Sequence, residues 1–283
     1  MPNTLSPLRY PGGKSRFYEY VRLLLDYNNL LGETYIEPFA GGAGLAIKLL
    51  LNNDVSRIVI NDYDQAIYAF WYSVINNCDI FCDMVYNVNI TYEEWQKQKN
   101  IYCNHDTSNL LLLGFATFFL NRTNISGVIN GGVIGGIRQS GKYKMDARFN
   151  KQSLIKKIQT ISNRKDQIIL LNEDAKQLLN PINLRRFYKA LIYLDPPYVA
   201  KGSQLYKNAF KDKDHIELCN LISNCKRKWV VTYDICQLID KLYHKFRSSY
   251  LNITYNIMTS KKANEYIFFS DNLELPSNIK LRK

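Results

Sequence analysis

Apolar positions along the chain alternate between short continuous runs and helical stripes. From Asp64 to Asn76, the residues Ile67, Phe70, Trp71, Val74 and Ile75 fall at helical spacing and predict an amphipathic helix. Before it, Arg57-Ile58-Val59-Ile60-Asn61-Asp62 is a short apolar strand ending in a carboxylate. Tyr35-Ile36-Glu37 reads as the preceding strand, with Leu45 to Leu51 the helix between them. Strand, glycine-rich turn, helix, strand is a βαβ unit and implies a parallel sheet. Apolar runs return at Ile168–Leu171, Ala190–Leu194, Trp229–Thr232 and Glu265–Phe269, with helices near His215–Asn224 and Ile235–Tyr243. Such runs suit strands covered by helices on both faces, so the fold class is α/β.

The middle of the chain breaks this rhythm. Thr91-x-x-Glu94 is a capping box opening a polar helix, and Leu110 to Asn121 is an apolar one. Gly127, Gly131, Gly132, Gly135, Gly136 and Gly141 then punctuate a stretch with hairpin character. Residues 77–164 are therefore expected to form an inserted, mostly helical domain containing a hairpin. Residues 1–76 and 165–283 would form the α/β domain around it.

Charge adds a partner to this picture. The chain of 283 residues carries 37 Lys and Arg against 25 Asp and Glu, a formal net charge of +12. An excess of that size points to a polyanion, nucleic acid before an anionic membrane. Between Arg138 and Lys165 nine basic residues face Asp146 alone, and Tyr143 lies among them. Glycines, an aromatic ring and dense positive charge together favour a nucleic-acid contact surface over a merely solvated face. The longest apolar run, Leu110–Leu120, is too short to span a bilayer, and the amino end carries no charged or apolar leader. The expected location is the cytoplasm, where the six cysteines should be free thiols. Cys78, Cys82, Cys103 and His105 match no standard zinc spacing, so no metal is expected.

Three motifs carry chemistry. Glu37-Pro38-Phe39-Ala40-Gly41-Gly42-Ala43-Gly44 lies between a strand and a helix, where glycines allow close approach of backbone to ligand. NAD, FAD, nucleotide and S-adenosylmethionine sites all use such a turn, although the GxGxxG order and a Walker lysine are both missing here. Asp62 ends the next strand, where a carboxylate can accept from both hydroxyls of a ribose or cap the following helix. Asp195-Pro196-Pro197-Tyr198 directly follows the strand Leu191–Leu194. Two prolines fix a stiff loop at the carboxyl end of the sheet. That loop offers the Asp195 carboxylate and the Pro196 carbonyl to the two N–H bonds of an exocyclic amine, with the Tyr198 ring to stack on the base.

With these motifs in this order, the chain resembles the Dam-type, alpha-group DNA adenine-N6 methyltransferases over nearly its whole length. Tyr10-Pro11-Gly12-Gly13-Lys14 resembles the family's aromatic-x-Gly-Gly-Lys motif, with Tyr10 where Trp is frequent. Glu37–Gly44 resembles the S-adenosylmethionine loop, Asp62 the ribose-binding acid, and Asp174 the acid facing the cofactor's adenine. Asp195–Tyr198 matches the catalytic tetrapeptide. The resemblance implies a Rossmann-like methyltransferase sheet, with the insertion as target-recognition domain. Tyr10, Lys14, Glu37, Phe39, Ala40, Gly41, Asp62, Asp174 and Asp195 would then line the cofactor site, with Asp195, Pro196, Pro197 and Tyr198 at the chemistry. Asn121, Arg122, Arg138, Lys142, Tyr143 and Lys144 would approach double-stranded DNA. A monomer suffices to flip one base, and a cognate restriction endonuclease acting on the same site would be a natural partner. An RNA adenine or cytosine-N4 methyltransferase, a DNA-binding module without activity, and a nucleotide-binding oxidoreductase are the competing classes. The intact tetrapeptide opposes the second, and the missing GxGxxG opposes the third.

Overall fold

The computed structural model describes residues 4–9, 14–199, 210–257, 259–277 and 279–282. Seven strands form one sheet: β1 (Thr34–Glu37), β2 (Arg57–Asn61), β3 (Ile168–Leu171), β4 (Ala190–Leu194), β5 (Lys228–Asp234), β6 (Arg247–Ile257) and β7 (Thr259–Phe269). Their spatial order is β3-β2-β1-β4-β5-β7-β6. The first five pair in parallel, and β7 joins β5 antiparallel with β6 on its outer side. The chain starts at β1, winds outward to β3 and returns to β4 on the other side of β1. The strand order thus reverses between β1 and β4, and open α/β sheets bind ligands in the crevice at such a point.

Strand periodicity of two explains the layers. Ile58, Ile60, Leu191 and Tyr193 face one hydrophobic cluster, while Val59, Ile192 and Leu194 face another. The first cluster is closed by helices α1 (Tyr18–Tyr27), α2 (Gly44–Leu51) and α3 (Gln65–Asn76). The second is closed by helices Asp212–Ser223 and Gln237–Tyr243 through residues such as Leu218, Ile222, Ile239 and Tyr243.

Four helices lie within residues 77–164: α4 (Cys78–Asn87), α5 (Tyr92–Asn104), α6 (Leu110–Thr123) and α7 (Lys151–Ser162). Their Phe81, Trp95, Phe118 and Leu154 belong to the same cluster as Ile58 and Leu191 of the sheet. The insertion therefore shares its core with the sheet, and Phe70 of α3 stacks on Phe118 of α6 with centroids 5.9 Å apart. Polar caps open these helices: Asp64 accepts from Ala66 N–H at 2.9 Å, Thr91 from Glu94 at 3.2 Å and Asn109 from Leu112 at 3.1 Å.

The expected hairpin is absent. Residues 124–144 form turns and short helical segments around one isolated bridge, Asn124 to Val133. Gly135 and Gly136 both take positive φ, 85° and 73°, and two such residues in a row turn the backbone out of any ladder. The basic stretch beyond is also partly helical, because Leu154, Ile158 and Ile161 give α7 a buried face. All six cysteines are free, and among the described residues no helix is long and apolar enough to cross a membrane.

Candidate active site

At the carboxyl end of β4, Asp195 leaves the sheet beside β1, since Ile36 of β1 pairs with Ile192. Its carboxylate is held from two sides: Oδ2 lies 2.9 Å from Lys14 Nζ, and Oδ1 accepts from Thr232 Oγ1 of β5 at 2.9 Å. The Tyr198 hydroxyl accepts from Lys14 Nζ at 2.7 Å, donates to Glu265 Oε1, and stands 3.5 Å from Asp195 Oδ1. Beyond it, Val199 N–H donates to Asp234 Oδ1 at 3.1 Å. Lys14 and Glu265 are buried, whereas the Asp195 side chain keeps 24% of its surface exposed. Burial alone would push the Lys14 ammonium down, but Asp195 and Glu265 outweigh it and raise it above the ordinary lysine value. Burial likewise lifts the Glu265 carboxyl, against the pull of Lys14, to about 7.

The glycine-rich turn follows β1. Gly41 and Ala43 both take left-handed backbone, φ 47° and 44°. Gly41 N–H donates to Asp62 Oδ2 at 2.8 Å, and Trp71 Nε1–H donates to the Gly41 carbonyl at 2.9 Å. Asp62 Oδ1 accepts from Asp64 N–H at 2.9 Å, so Asp64 caps α3 and Asp62 braces the turn in front of it. Burial raises the Asp62 carboxyl to about 7, partly opposed by these N–H donors. Asn61 sits fully buried between two loops: its Nδ2–H donates to the Pro38 carbonyl at 2.9 Å and to the Glu173 carbonyl at 3.0 Å, and its Oδ1 accepts from Glu173 N–H at 2.9 Å. One side chain thus sets the loop bearing Phe39, Ala40 and Gly41 against the loop bearing Asp174. Ala40 N–H adds a 2.9 Å bond to the Asn61 carbonyl. Asp174 caps the short helix Ala175–Leu178, and the partly buried Phe39 ring meets Phe210 edge-on at 5.7 Å.

The sequence-derived residues thus fall into two groups at one edge of the sheet. Phe39, Ala40, Gly41, Asp62 and Asp174 gather beyond β1, β2 and β3, while Lys14 stands with Asp195 and Tyr198 beyond β4. Two expected cofactor residues are placed otherwise. The buried Glu37 carboxylate accepts from Tyr35 Oη at 3.2 Å and from Ala46 N–H at 3.1 Å, so it ties β1 to the first turn of α2. Lys14 directs its ammonium to Asp195 and Tyr198 of the loop after β4 and to Glu265 of β7. Tyr10 lies outside the described residues. Asn61, Thr232 and Glu265 were not legible as site residues; their signal in the sequence is a polar side chain inside an otherwise apolar strand.

The expected DNA contacts also divide. Asn121 is 0% exposed and joins Arg9 by paired 2.7 Å bonds, donating as well to the Gly127 carbonyl at 2.9 Å. Arg122 donates to the carbonyls of Arg148 and Pro7, and burial lowers its guanidinium to about 9, with Arg9 and Arg148 adding repulsion. These two side chains hold the loop and do not face outward. Arg138, Lys142, Tyr143 and Lys144 are exposed on that loop, beside Ile137. Side-chain amides fix its shape: the buried Asn124 accepts from Trp95 Nε1–H at 2.7 Å, and the half-buried Gln139 donates to the Ile134 carbonyl at 2.7 Å while accepting from Met145 N–H at 2.9 Å. Among the described residues no cluster of His, Cys, Asp or Glu could hold a metal.

Residues 10–259 match the family described as D12 class N6 adenine-specific DNA methyltransferase. The chain belongs to this family. As a D12-class methyltransferase it methylates adenine N6 in DNA, and methyltransferases of this class and fold use S-adenosylmethionine. Among curated relatives, the type II methyltransferase M.MjaIII of Methanocaldococcus jannaschii is 24% identical over 229 residues, covering 75% of this chain and 76% of that protein. The type II methyltransferase M.CviBI of Paramecium bursaria Chlorella virus NC1A is 22% identical over 237 residues, covering 83% and 85%. Among solved structures, the rRNA methyltransferase AviRa of Streptomyces viridochromogenes aligns with a TM-score of 0.41 at 11% identity, covering 92% of this chain and 85% of that one.

Proposed function

We propose that this D12-class enzyme transfers a methyl group from S-adenosylmethionine to the N6 amine of an adenine flipped out of double-stranded DNA, within one short sequence. The observation that carries the reading is Asp195: a carboxylate fixed by Lys14 and Thr232, still partly exposed, and next in the chain to the Pro196 carbonyl.

The donor set suits the cofactor. Phe39 offers a partly buried ring, Gly41 and Ala43 a turn bare of large side chains, and Asp62 an acid that faces the turn. Asp62 would hold the ribose, Phe39 and Asp174 would flank the adenine, and Ala40 and Gly41 would let the chain approach closely; Tyr10 is assigned beside them by resemblance. S-adenosylmethionine supplies a methyl already activated on a sulfonium, so the protein's task is alignment and charge stabilisation. Asp195 and the Pro196 carbonyl accept the two N6–H bonds, and the negative carboxylate stabilises the positive charge that develops on nitrogen. Pro197 keeps the loop stiff, and the Tyr198 ring, 9% exposed, is assigned to stack on the flipped base, offsetting part of an unstacking cost of about a few kcal/mol.

Residues 77–164 are assigned to target recognition through the loop that carries Arg138, Lys142, Tyr143 and Lys144. Cations there contact phosphates, which position the duplex without reading it. The type II names of the relatives support a restriction endonuclease of the same site as companion, and one chain suffices for one flipped base.

Base-resolved mapping of N6-methyladenine in DNA from methylation-free cells tests the reading. Expression of the protein should mark adenines in one motif, and Asp195→Ala should leave the same DNA unmarked. A blank map from a wild-type protein that binds S-adenosylmethionine would overturn it and direct the search to RNA amines.

A further inference from the structure

Lys14 has two carboxylates. Asp195 Oδ2 meets its ammonium at 2.9 Å from the partly exposed side, and Glu265 Oε2 meets it at 3.5 Å from the buried side. Glu265 lies on β7, paired with Asp234 of β5, and is 1% exposed. Its Oε1 accepts from the Tyr198 hydroxyl, and Oε2 accepts no hydrogen bond from the described residues. A carboxylate with one oxygen lacking a hydrogen bond in such a place is costly, and packing alone would favour an apolar residue there. Nothing in the alignment of cofactor and amine requires it directly, because it touches Lys14 and Tyr198 and lies behind Asp195.

We propose that Glu265 is a positioning residue of the methyl transfer: its carboxylate is the second counter-charge of Lys14. When Asp195 turns an oxygen toward the N6 amine, it must loosen its grip on Lys14. Without a second acid, the lysine would hold Asp195 back and weaken it as an acceptor. With Glu265 beneath, Lys14 stays paired and the Tyr198 hydroxyl stays fixed, so the catalytic loop keeps its shape while Asp195 is shared. The inference rests on the role proposed for Asp195 above. Charged or titratable groups around Glu265 are Lys14 from the turn before α1, Asp195 and Tyr198 from the catalytic loop, and Tyr193 from β4.

Three variants test it: Glu265→Gln, Lys14→Gln, and both together, alongside Asp195→Asn. Glu265→Gln keeps the acceptor for Tyr198 but removes the charge. It should bind S-adenosylmethionine within about threefold of wild type by calorimetry and lose about ten- to a hundredfold in single-turnover methylation rate. In the ligand-free protein its Lys14 ammonium, followed by lysine ¹⁵Nζ resonances, should titrate at lower pH than in the wild type. The double variant leaves no buried charge unpaired between these two positions, so it should fold even if a single one does not. It should methylate no more slowly than Lys14→Gln alone, since Glu265 acts through Lys14. Wild-type rate and unchanged Lys14 titration in Glu265→Gln, or additive losses in the double variant, would overturn the inference. If Asp195→Asn is dead in those same assays, only Glu265 loses its role; if Asp195→Asn is active, the site reading itself fails.

Discussion

Gly41 gives its backbone N–H to Asp62 across 2.8 Å, which ties the glycine-rich turn to the acid at the end of the neighbouring strand. Asp62 thus braces the turn through Oδ2, while Oδ1 accepts from Asp64 N–H at the start of α3. Its carboxyl sits at about 7 because burial disfavours the charged form. Ribose hydroxyls need the ionised acid as acceptor, and that form grows as pH rises through 7. Affinity for S-adenosylmethionine should therefore increase by about tenfold from pH 6 to pH 8. Asp62→Asn should bind weakly and without that slope. Calorimetric titration at several pH values checks both, and an equal slope in the variant would assign the titration to another group.

Glu37 predicts a stability effect of its own. Burial raises its carboxyl to about 8, although Tyr35 and Ala46 donate to it. An acid whose folded value is raised favours the protonated fold, so its contribution is complete below the unfolded value near 4.5 and is lost as pH climbs to about 8. Glu37→Gln keeps the shape and the acceptor oxygen without the charge. Its melting temperature should match wild type near pH 5 and exceed it near pH 9, with a difference on the order of 1 kcal/mol or more. A gap that stays constant with pH would disprove the linkage.

Gly114 marks where α6 crosses α3. A Cβ there would lie 2.6 Å from Ser73 Oγ and 2.7 Å from the Ala69 carbonyl carbon, closer than atoms tolerate. The Ser73 hydroxyl already bonds the Ala69 carbonyl at 2.7 Å, so neither neighbour yields freely. Gly114→Ala should destabilise the protein by about 1–3 kcal/mol despite alanine's better helix propensity. Chemical denaturation would measure the loss, and an unchanged midpoint would mean the helices can separate.

How much of this was legible in the sequence follows from which signals are local. The five parallel strands read directly, because Ile58-Val59-Ile60 and Leu191-Ile192-Tyr193-Leu194 are apolar on both faces. The outer strand β6 was not read: Arg247-Ser248-Ser249-Tyr250 is polar, and only pairing with β7 makes it a strand. Glycines in residues 127–141 suggested a hairpin, yet consecutive positive φ values depend on amides such as Gln139 that bind carbonyls several residues away. The stiff loop after β4 was legible from Asp195-Pro196-Pro197-Tyr198. Its supports were not, because Lys14, Thr232 and Glu265 reach it from three distant segments and carry no pattern of their own. For the same reason Asn121 read as a surface contact, whereas its partners Arg9 and Gly127 make it a buried clasp.

That clasp leaves Arg138, Lys142 and Lys144 exposed on the loop, and Lys144 also donates to the Gln139 carbonyl. Both lysines lie on the loop held by Asn121, Asn124 and Gln139, and Lys142 stands 5.8 Å from the Tyr143 ring. Neutralising a phosphate contact removes about 0.9 from the slope of log binding constant against log salt. Lys142→Ala with Lys144→Ala should therefore flatten that slope by about 2 if each meets one phosphate. Binding should weaken alike for the recognised sequence and for unrelated duplex, since phosphates carry no sequence information. Affinity for S-adenosylmethionine should hold, because the contacts of the two lysines are with Tyr143 and the Gln139 carbonyl of their own loop. Anisotropy titrations from low to moderate salt measure the slope. An unchanged slope would remove this loop from the DNA interface, and a loss confined to the recognised sequence would move the two lysines from phosphates to bases.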